Sequence, residues 1–268
     1  MVACIRTEFN GKENGVDEAA KMPTRAKANQ GDAQGLIARA LAASAIDASR
    51  NYSGQLFGIL RRAIARSQLP PGTLLSEAAI AEAAGLSRTP VREALRQLSV
   101  ERLVDVYPQA GTVVSPIRLS LLREACFVRG ALEAANFAEL APAIDAEGLS
   151  SLRAIVASQR EAMEKADLGS FMDLDDALHA QAFKLMGRER VWTLIDDGKV
   201  HLDRVRFLLL ERLSIHAGRV LRDHESLCGL LEARDAEKLA LAARTHVEKA
   251  TLDLLELREA VPAAYFAD

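Results

Sequence analysis

The sequence predicts a mainly α fold in two unequal parts: a compact unit ending in a short hairpin, then a larger all-helical bundle. Three observations lead there. Ala and Leu dominate a chain of 268 residues with only 4% aromatics, a composition suited to helices. The one β-rich stretch, "LVDVYPQAGTVV" (103–114), follows three short helical periods. Beyond "SPI" (115–117) the apolar spacing stays helical almost to the last residue, with breaks near Pro142, Gly148, Gly169 and Gly187.

Residues 1–50 are rich in Ala, Gly and Asn without a sustained apolar period and are expected to form a flexible tail, although Leu36 to Ile46 could be helical. In "QLFGILRRAIARSQL" (55–69), Leu56, Ile59, Leu60 and Ile64 share a helix face, and "PPG" (70–72) ends it. "SEAAIAEAAG" (76–85) reads as a second helix. Ser76 can cap it, Glu77 suits its positive end, and Gly85 can take the left-handed exit. Ser87 is placed to cap a third helix from Arg88, with Pro90 in its first turn, where a missing N–H costs little. Three helices and a hairpin over residues 51–116 make the plan of a winged helix-turn-helix. Residues 117–268 are expected to form an all-α bundle of six or seven helices, placed near 119–140, 146–167, 170–187, 189–213, 216–233 and 236–259.

Charge separates the same two parts. Residues 51–116 hold seven Lys/Arg against five Asp/Glu, a net +2, while residues 117–268 hold twenty against twenty-six, a net −6. A polyanion therefore suits the first part and not the second. No apolar run approaches the ~20 residues that cross a bilayer, and no basic start precedes an apolar block, so neither membrane nor secretory signal is read. Cys4, Cys126 and Cys228 show no metal-like spacing and fit free thiols in a reducing cytoplasm.

Within "GLSRTPVREALRQL" (85–98), Val91, Ala94, Leu95 and Leu98 cover one arc, and Arg88, Arg92, Arg96 and Ser99 the next, with Thr89 at its margin. The apolar arc can pack on the two preceding helices, leaving the basic arc for a major groove. Arginine grips guanine O6/N7 in bidentate fashion and also pairs with phosphate. Glu93, three residues from Arg96, offers that arginine a competing partner. The hairpin tip at Ala110–Gly111 could approach the minor groove. Residues 69–115 resemble the N-terminal domain of the GntR family of bacterial transcription regulators. The resemblance implies double-stranded DNA contacts at Arg88, Thr89, Arg92 and Gly111. It departs at Ala78, where many relatives carry a DNA-contacting Arg.

Histidines carry the second pattern. Asp175 and His179 in "FMDLDDALHAQAF" (171–183) are four apart on one inward face. His224 sits amid the arc of Val220, Leu227 and Leu231, and His246 lies among Leu239, Ala242, Ala243, Ala250 and Leu257. Buried separately, each would need its own partner. A shared divalent ion (Zn, Ni, Mn or Fe) satisfies all four together. His201 falls opposite its helix's apolar arc and is expected to be solvated, and His216 carries no clear signal. Arg129 and Arg206 lie on apolar arcs, where an anion must meet them, either a ligand carboxylate or an internal acid.

Residues 119–259, through "VRGALE", "DDALH" and "DHESLCGLLEARDAEKLALAARTH", resemble the FCD ligand-sensing domain of the FadR-type subfamily, in its metal-binding rather than its acyl-CoA-binding branch. That resemblance implies a metal held by Asp175, His179, His224 and His246, with coordination positions open to a small carboxylate effector. The expectation is a cytoplasmic, homodimeric, effector-controlled repressor rather than an enzyme. The alternatives are a metal-dependent hydrolase, for which no HExxH is present, and a regulator with a purely structural metal.

Overall fold

The computed structural model describes residues 30–42, 46–213 and 215–268. Element order is α1 (Gln30–Ala42), α2 (Tyr52–Ala65), β1 (Leu74–Leu75), α3 (Glu77–Ala84), α4 (Arg88–Val100), β2 (Val104–Tyr107), β3 (Gly111–Val114) and β4 (Ile117–Arg118). There follow α5 (Leu119–Ala143), α6 (Ala146–Glu164), α7 (Leu168–Lys184), α8 (Glu189–Gly198), α9 (Val200–Arg212), α10 (His216–Glu232), α11 (Ala236–Leu252), α12 (Leu254–Ala260), a 3₁₀ turn (Ala263–Tyr265) and β5 (Phe266–Ala267). The fold is mostly helical, with a smaller N-terminal helical bundle and a larger C-terminal all-α bundle.

In the N-terminal bundle, Asn51 caps α2 by accepting from the Ser53 amide at 3.0 Å. Ser76 caps α3 by accepting from the Ala79 amide at 3.3 Å. Gly85 closes α3 in the left-handed conformation, φ 65° and ψ 31°, which glycine adopts without steric cost. Ser87 holds the extended cap conformation before α4, but its side chain makes no capping bond. Val91, Ala94, Leu95 and Leu98 of α4 are buried with Leu56, Leu60 and Ile64 of α2 and Ile80 of α3. Each fully buried Leu or Ile contributes roughly 1.5–3 kcal/mol.

The expected hairpin is present and gains a third strand. β2 and β1 flank β3, both antiparallel to it, with Leu74 opposite Val113 and Asp105 opposite Val113 from the other side. Gly111 opens β3 at φ +120°, and a Cβ there would stand 2.9 Å from Leu74 Cδ1, so the wing's turn requires glycine.

Part of the segment expected to be a tail is ordered: α1 packs on α3, α2 and β1. Ala33, Ile37, Ala40 and Leu41 are buried, with Ile37 1% exposed. Alanine makes half of this apolar face, Ala33 and Ala40, so it scarcely stands out from its Ala-rich surroundings in sequence. Residues 1–29 and 43–45 lie outside the described residues.

Every helix expected in the C-terminal bundle is present, and two expected spans are each divided by one residue. Lys199 separates α8 from α9, and Asp253 separates α11 from α12. Long α5 packs against α11, α6 against α7, and α10 against α6 and α11. Phe137, Leu140, Leu152, Leu178, Leu227 and Leu239 fill the core between them. Arg234 donates to the Pro142 and Ile144 carbonyls at 2.6 and 3.0 Å, satisfying the carboxyl end of α5. β5 pairs in parallel with β4, Ile117 opposite Phe266, so the chain returns to the junction of the two bundles.

α9 has almost no exposed face, with ten of its residues buried, His201, Asp203, Arg204 and Arg206 among them. His201 is therefore not solvated; it is 4% exposed, with Nε2 3.1 Å from the Glu101 carbonyl. The N-terminal bundle covers the side of α9 that helical periodicity alone leaves free.

Candidate metal centre and nucleic-acid interface

Asp175 and His179 of α7, His224 of α10 and His246 of α11 converge, and one ligand atom from each lies within 4.8 Å of all the others. Asp175, His179 and His224 are buried, and the His246 side chain is 8% exposed. In α7 the four-residue step puts its two donors on adjacent turns of one face. The antiparallel packing of α10 and α11 sets the other two rings opposite.

A second layer of acceptors turns the rings. His224 Nδ1 lies 2.6 Å from Gln159 Oε1, and His246 Nδ1 lies 3.3 Å from Asp223 Oδ2. His179 Nδ1 lies 2.9 Å from Glu133 Oε2, though off the line of a straight hydrogen bond. With Nδ1–H directed outward, each ring presents an Nε2 lone pair to the common centre. His224 and His246 Nε2 then face one another at 3.3 Å, an arrangement that a cation between them resolves. His179 Nε2 is buried without a hydrogen-bond partner. Three imidazoles and one carboxylate fit a borderline divalent ion, so the residues present suit the metal.

Electrostatics agree with that use. Burial holds the His179 and His224 rings below the ordinary histidine range, His224 well below, so both stay neutral donors. Burial opposes ionisation of Asp175, but the charges around it, Arg206 foremost, keep its carboxyl well below the usual range. Arg206 pairs with Asp175, with Asp176 at 3.1 Å and with Asp203 at 2.7 Å. Lys199, 2% exposed, extends this network to Asp176, Asp196 and Asp203 at 2.8–2.9 Å. Arg129 pairs with Glu133 at 2.6 Å, while its Nη2, buried and unbonded, lies 3.7 Å from Asp175 Oδ2.

A cavity of about 260 Å³ opens over this centre, lined by Asp175 and His246 together with Arg129 and Arg206. Sequence reasoning placed these four but missed Glu133, Gln159 and Asp223. Gln159 had a signal, since it continues the inward row of Leu152 and Val156 as a polar residue. His216, also missed, lines the cavity from the start of α10.

On the N-terminal bundle, Arg88, Thr89 and Arg92 are exposed at the start of α4, and Gly111 is exposed in the wing. Arg92 Nε donates to Glu77 of α3 at 2.8 Å with 65% of its side chain exposed, an ion pair that is easily exchanged. Arg96 is engaged twice by Glu93, at 2.9 and 2.7 Å. Ala78 is exposed on α3 and adds no donor to this face. The two halves meet through α9. Arg204 donates to the Ser115 and Pro116 carbonyls at 2.6 and 3.3 Å. Arg61 of α2 pairs with Glu101 at 2.8 Å and donates to the Asp196 and Asp197 carbonyls.

Comparison with known proteins assigns both halves. Residues 53–114 match the model of bacterial regulatory proteins, gntR family, and residues 124–249 match the FCD domain. The HTH-type transcriptional repressor RspR of Escherichia coli K12 is 30% identical over 205 residues, 76% of this chain and 90% of that protein. A regulator in an unstable DNA locus of Streptomyces ambofaciens is 32% identical, covering 78% of this chain and 87% of its own. Among solved structures, McbR/YncC of E. coli superposes with a TM-score of 0.65 at 21% identity, over 77% of this chain and 98% of its own. A GntR regulator from Rhodococcus sp. RHA1 gives 0.64 at 25% identity, over 76% and 97%. No helix among the described residues is long and apolar enough to cross a membrane. With a helix-turn-helix and wing in one half and four clustered metal donors in the other, the chain belongs to the GntR family of transcription regulators, and its C-terminal half is an FCD domain.

Proposed function

We propose that this regulator is a repressor whose operator affinity is set by a small organic acid bound at a metal in the C-terminal bundle. The observation that carries the reading is the cavity over the four donors, with Asp175 and His246 in its wall beside two buried arginines. A bound divalent ion (Zn, Ni, Mn or Fe) would supply Lewis acidity and positions open to a carboxylate. The unbonded Nη2 of Arg129 and the guanidinium of Arg206 would orient that carboxylate. The cavity is smaller than the ~300–1,000 Å³ of sites for drug-sized ligands, which suits a small acid.

Arg88, Thr89 and Arg92 would read base edges and phosphates from the start of α4, Gly111 would bring the wing close to the minor groove, and Arg96 would join after leaving Glu93. Two chains would pair and reach two half-sites. Phe127, Val128, Leu132 and Leu194, respectively 75%, 46%, 37% and 71% exposed, offer apolar surface on α5 and α8 for that pairing, with Val128 and Leu194 lining one surface cleft. The name of the E. coli relative, a repressor, supports the direction of control.

Fluorescence anisotropy of an operator fragment, with zinc-loaded protein titrated by pooled small organic acids, tests the reading. An acid should shift operator affinity by roughly 5–150-fold, the usual range of coupling between sites. Indifference to every acid would sink the sensing half and leave a regulator with a structural metal.

A further inference from the structure

We infer that the effector is a short dicarboxylate: one acid group binds at the metal and the second binds Arg219 and Arg222 of α10 in the same cavity. The inference rests on the metal-bound acid proposed above and deepens it. Five cationic side chains line the cavity, and their partners divide them into two sets. Arg129, Arg206 and Lys249 are engaged, Lys249 by both oxygens of Asp223 at 2.6 and 2.7 Å. Arg219 donates no hydrogen bond among the described residues, and its nearest acids, Asp253 and Glu256, stand at 3.6 and 3.8 Å. Arg222 has neither an ion pair nor a hydrogen bond among the described residues.

Beside them His216, 5% exposed, keeps a buried Nδ1 that lies 3.2 Å from Asp253 Oδ2 without being aligned to bond it. Asp253 itself stands between His216 and Arg219, so the second acid group is held by Arg219 together with Arg222 rather than by His216. Helix geometry sets the spacing. Arg219 precedes the ligand His224 by five residues on α10, about 7.5 Å along the axis. Asp253, the residue that follows α11, lines the cavity beside Arg219. The cavity therefore runs from the metal donors toward Arg219, and its volume of about 260 Å³ holds a short chain with an acid at each end. Arg129, Arg206 and Lys249 are matched by Glu133, Asp203 and Asp223, which leaves Arg219 and Arg222 as the cavity's cations for a second acid group.

Calorimetric titration of zinc-loaded protein compares glutarate with butyrate. Glutarate should bind about tenfold more tightly or better, the worth of one charge-assisted bond. Arg219→Gln, with Arg222→Gln, should erase that preference while leaving butyrate affinity and zinc content unchanged. Equal affinities in the wild type, or a preference that survives both substitutions, overturns the second subsite and leaves the metal-bound acid standing. Failure of both acids to bind overturns the two together.

Discussion

Arg92 and His201 show how far one side chain's position decides its role. Arg92 is exposed and held only by Glu77, so Arg92→Ala should leave thermal stability within about 0.5 kcal/mol. If Arg92 reads a base, the same change lowers specific operator affinity by roughly 1–3 kcal/mol, measured by anisotropy against a scrambled duplex; unchanged affinity removes it from the reading face. His201 behaves oppositely. Burial, only partly offset by its bond to the Glu101 carbonyl, pushes its ring down from 6.5 to about 4. The folded protein keeps the ring neutral while the unfolded chain protonates below about pH 6.5. Its stabilisation is therefore complete above that pH and is lost as pH falls toward 4, up to about 3 kcal/mol across the window. Melting curves from pH 7.5 to 4.5 should fall less steeply for His201→Gln than for the wild type, and parallel curves would refute the assignment. The four clustered residues Asp175, His179, His224 and His246 were legible in sequence as inward-facing because an ionisable group on an apolar arc is conspicuous. Their orienting partners were harder to see, since Glu133 and Asp223 have the residue types of an ordinary wet helix face.

Elements announced themselves unequally. Ser76, Gly85 and the Pro/Gly turn at 108–111 mark their boundaries by local backbone preference, so α3, α4 and the hairpin were readable from sequence. α1 was obscured by its small residues, and β1 and β5, two residues each, carry too little pattern to register. α9 was read as part of a helix at 189–213, but a wet face was misjudged at His201: a helix enclosed on all sides has no wet face for a period to reveal, and charged residues such as Asp203 and Arg206 are buried in pairs. The contribution of α1 is measurable. Ile37 sits in the core shared by α2 and α4, so Ile37→Ala should cost roughly 2–4 kcal/mol in urea denaturation. A loss below 0.5 kcal/mol would mean that α1 only rests on the surface. This helix precedes the 53–114 match to the GntR model, so it enlarges the DNA-binding half without belonging to its common part.

For the molecule as a whole, a metal held at the proposed site would be linked to the fold. The four donors come from α7, α10 and α11, so an ion that binds only the folded chain stabilises the whole bundle, by about 4 kcal/mol at a thousandfold excess over its dissociation constant. Dialysis against chelator should lower the melting temperature, and adding zinc back should restore it. His224→Ala should melt like the chelated wild type and ignore zinc. A wild-type melt unmoved by chelation would argue that no metal is held. The division into two bundles was legible from charge and from the single β-rich stretch, whereas the way they join was not, because Arg61, His201 and Arg204 meet backbone carbonyls that no sequence pattern marks. That junction has a mechanical corollary. At 100° per residue, the cap Lys199 with Asp203 and Arg206 forms one stripe along α9, facing Asp175 and Asp176, while His201 and Arg204 form another on roughly the opposite side, holding Glu101 and Ser115. A helix gripped along two opposed stripes works like an axle. If the proposed ligand rolled one stripe by a few degrees, the other would be displaced in the opposite sense, and a signal would cross from bundle to bundle without any hinge bending.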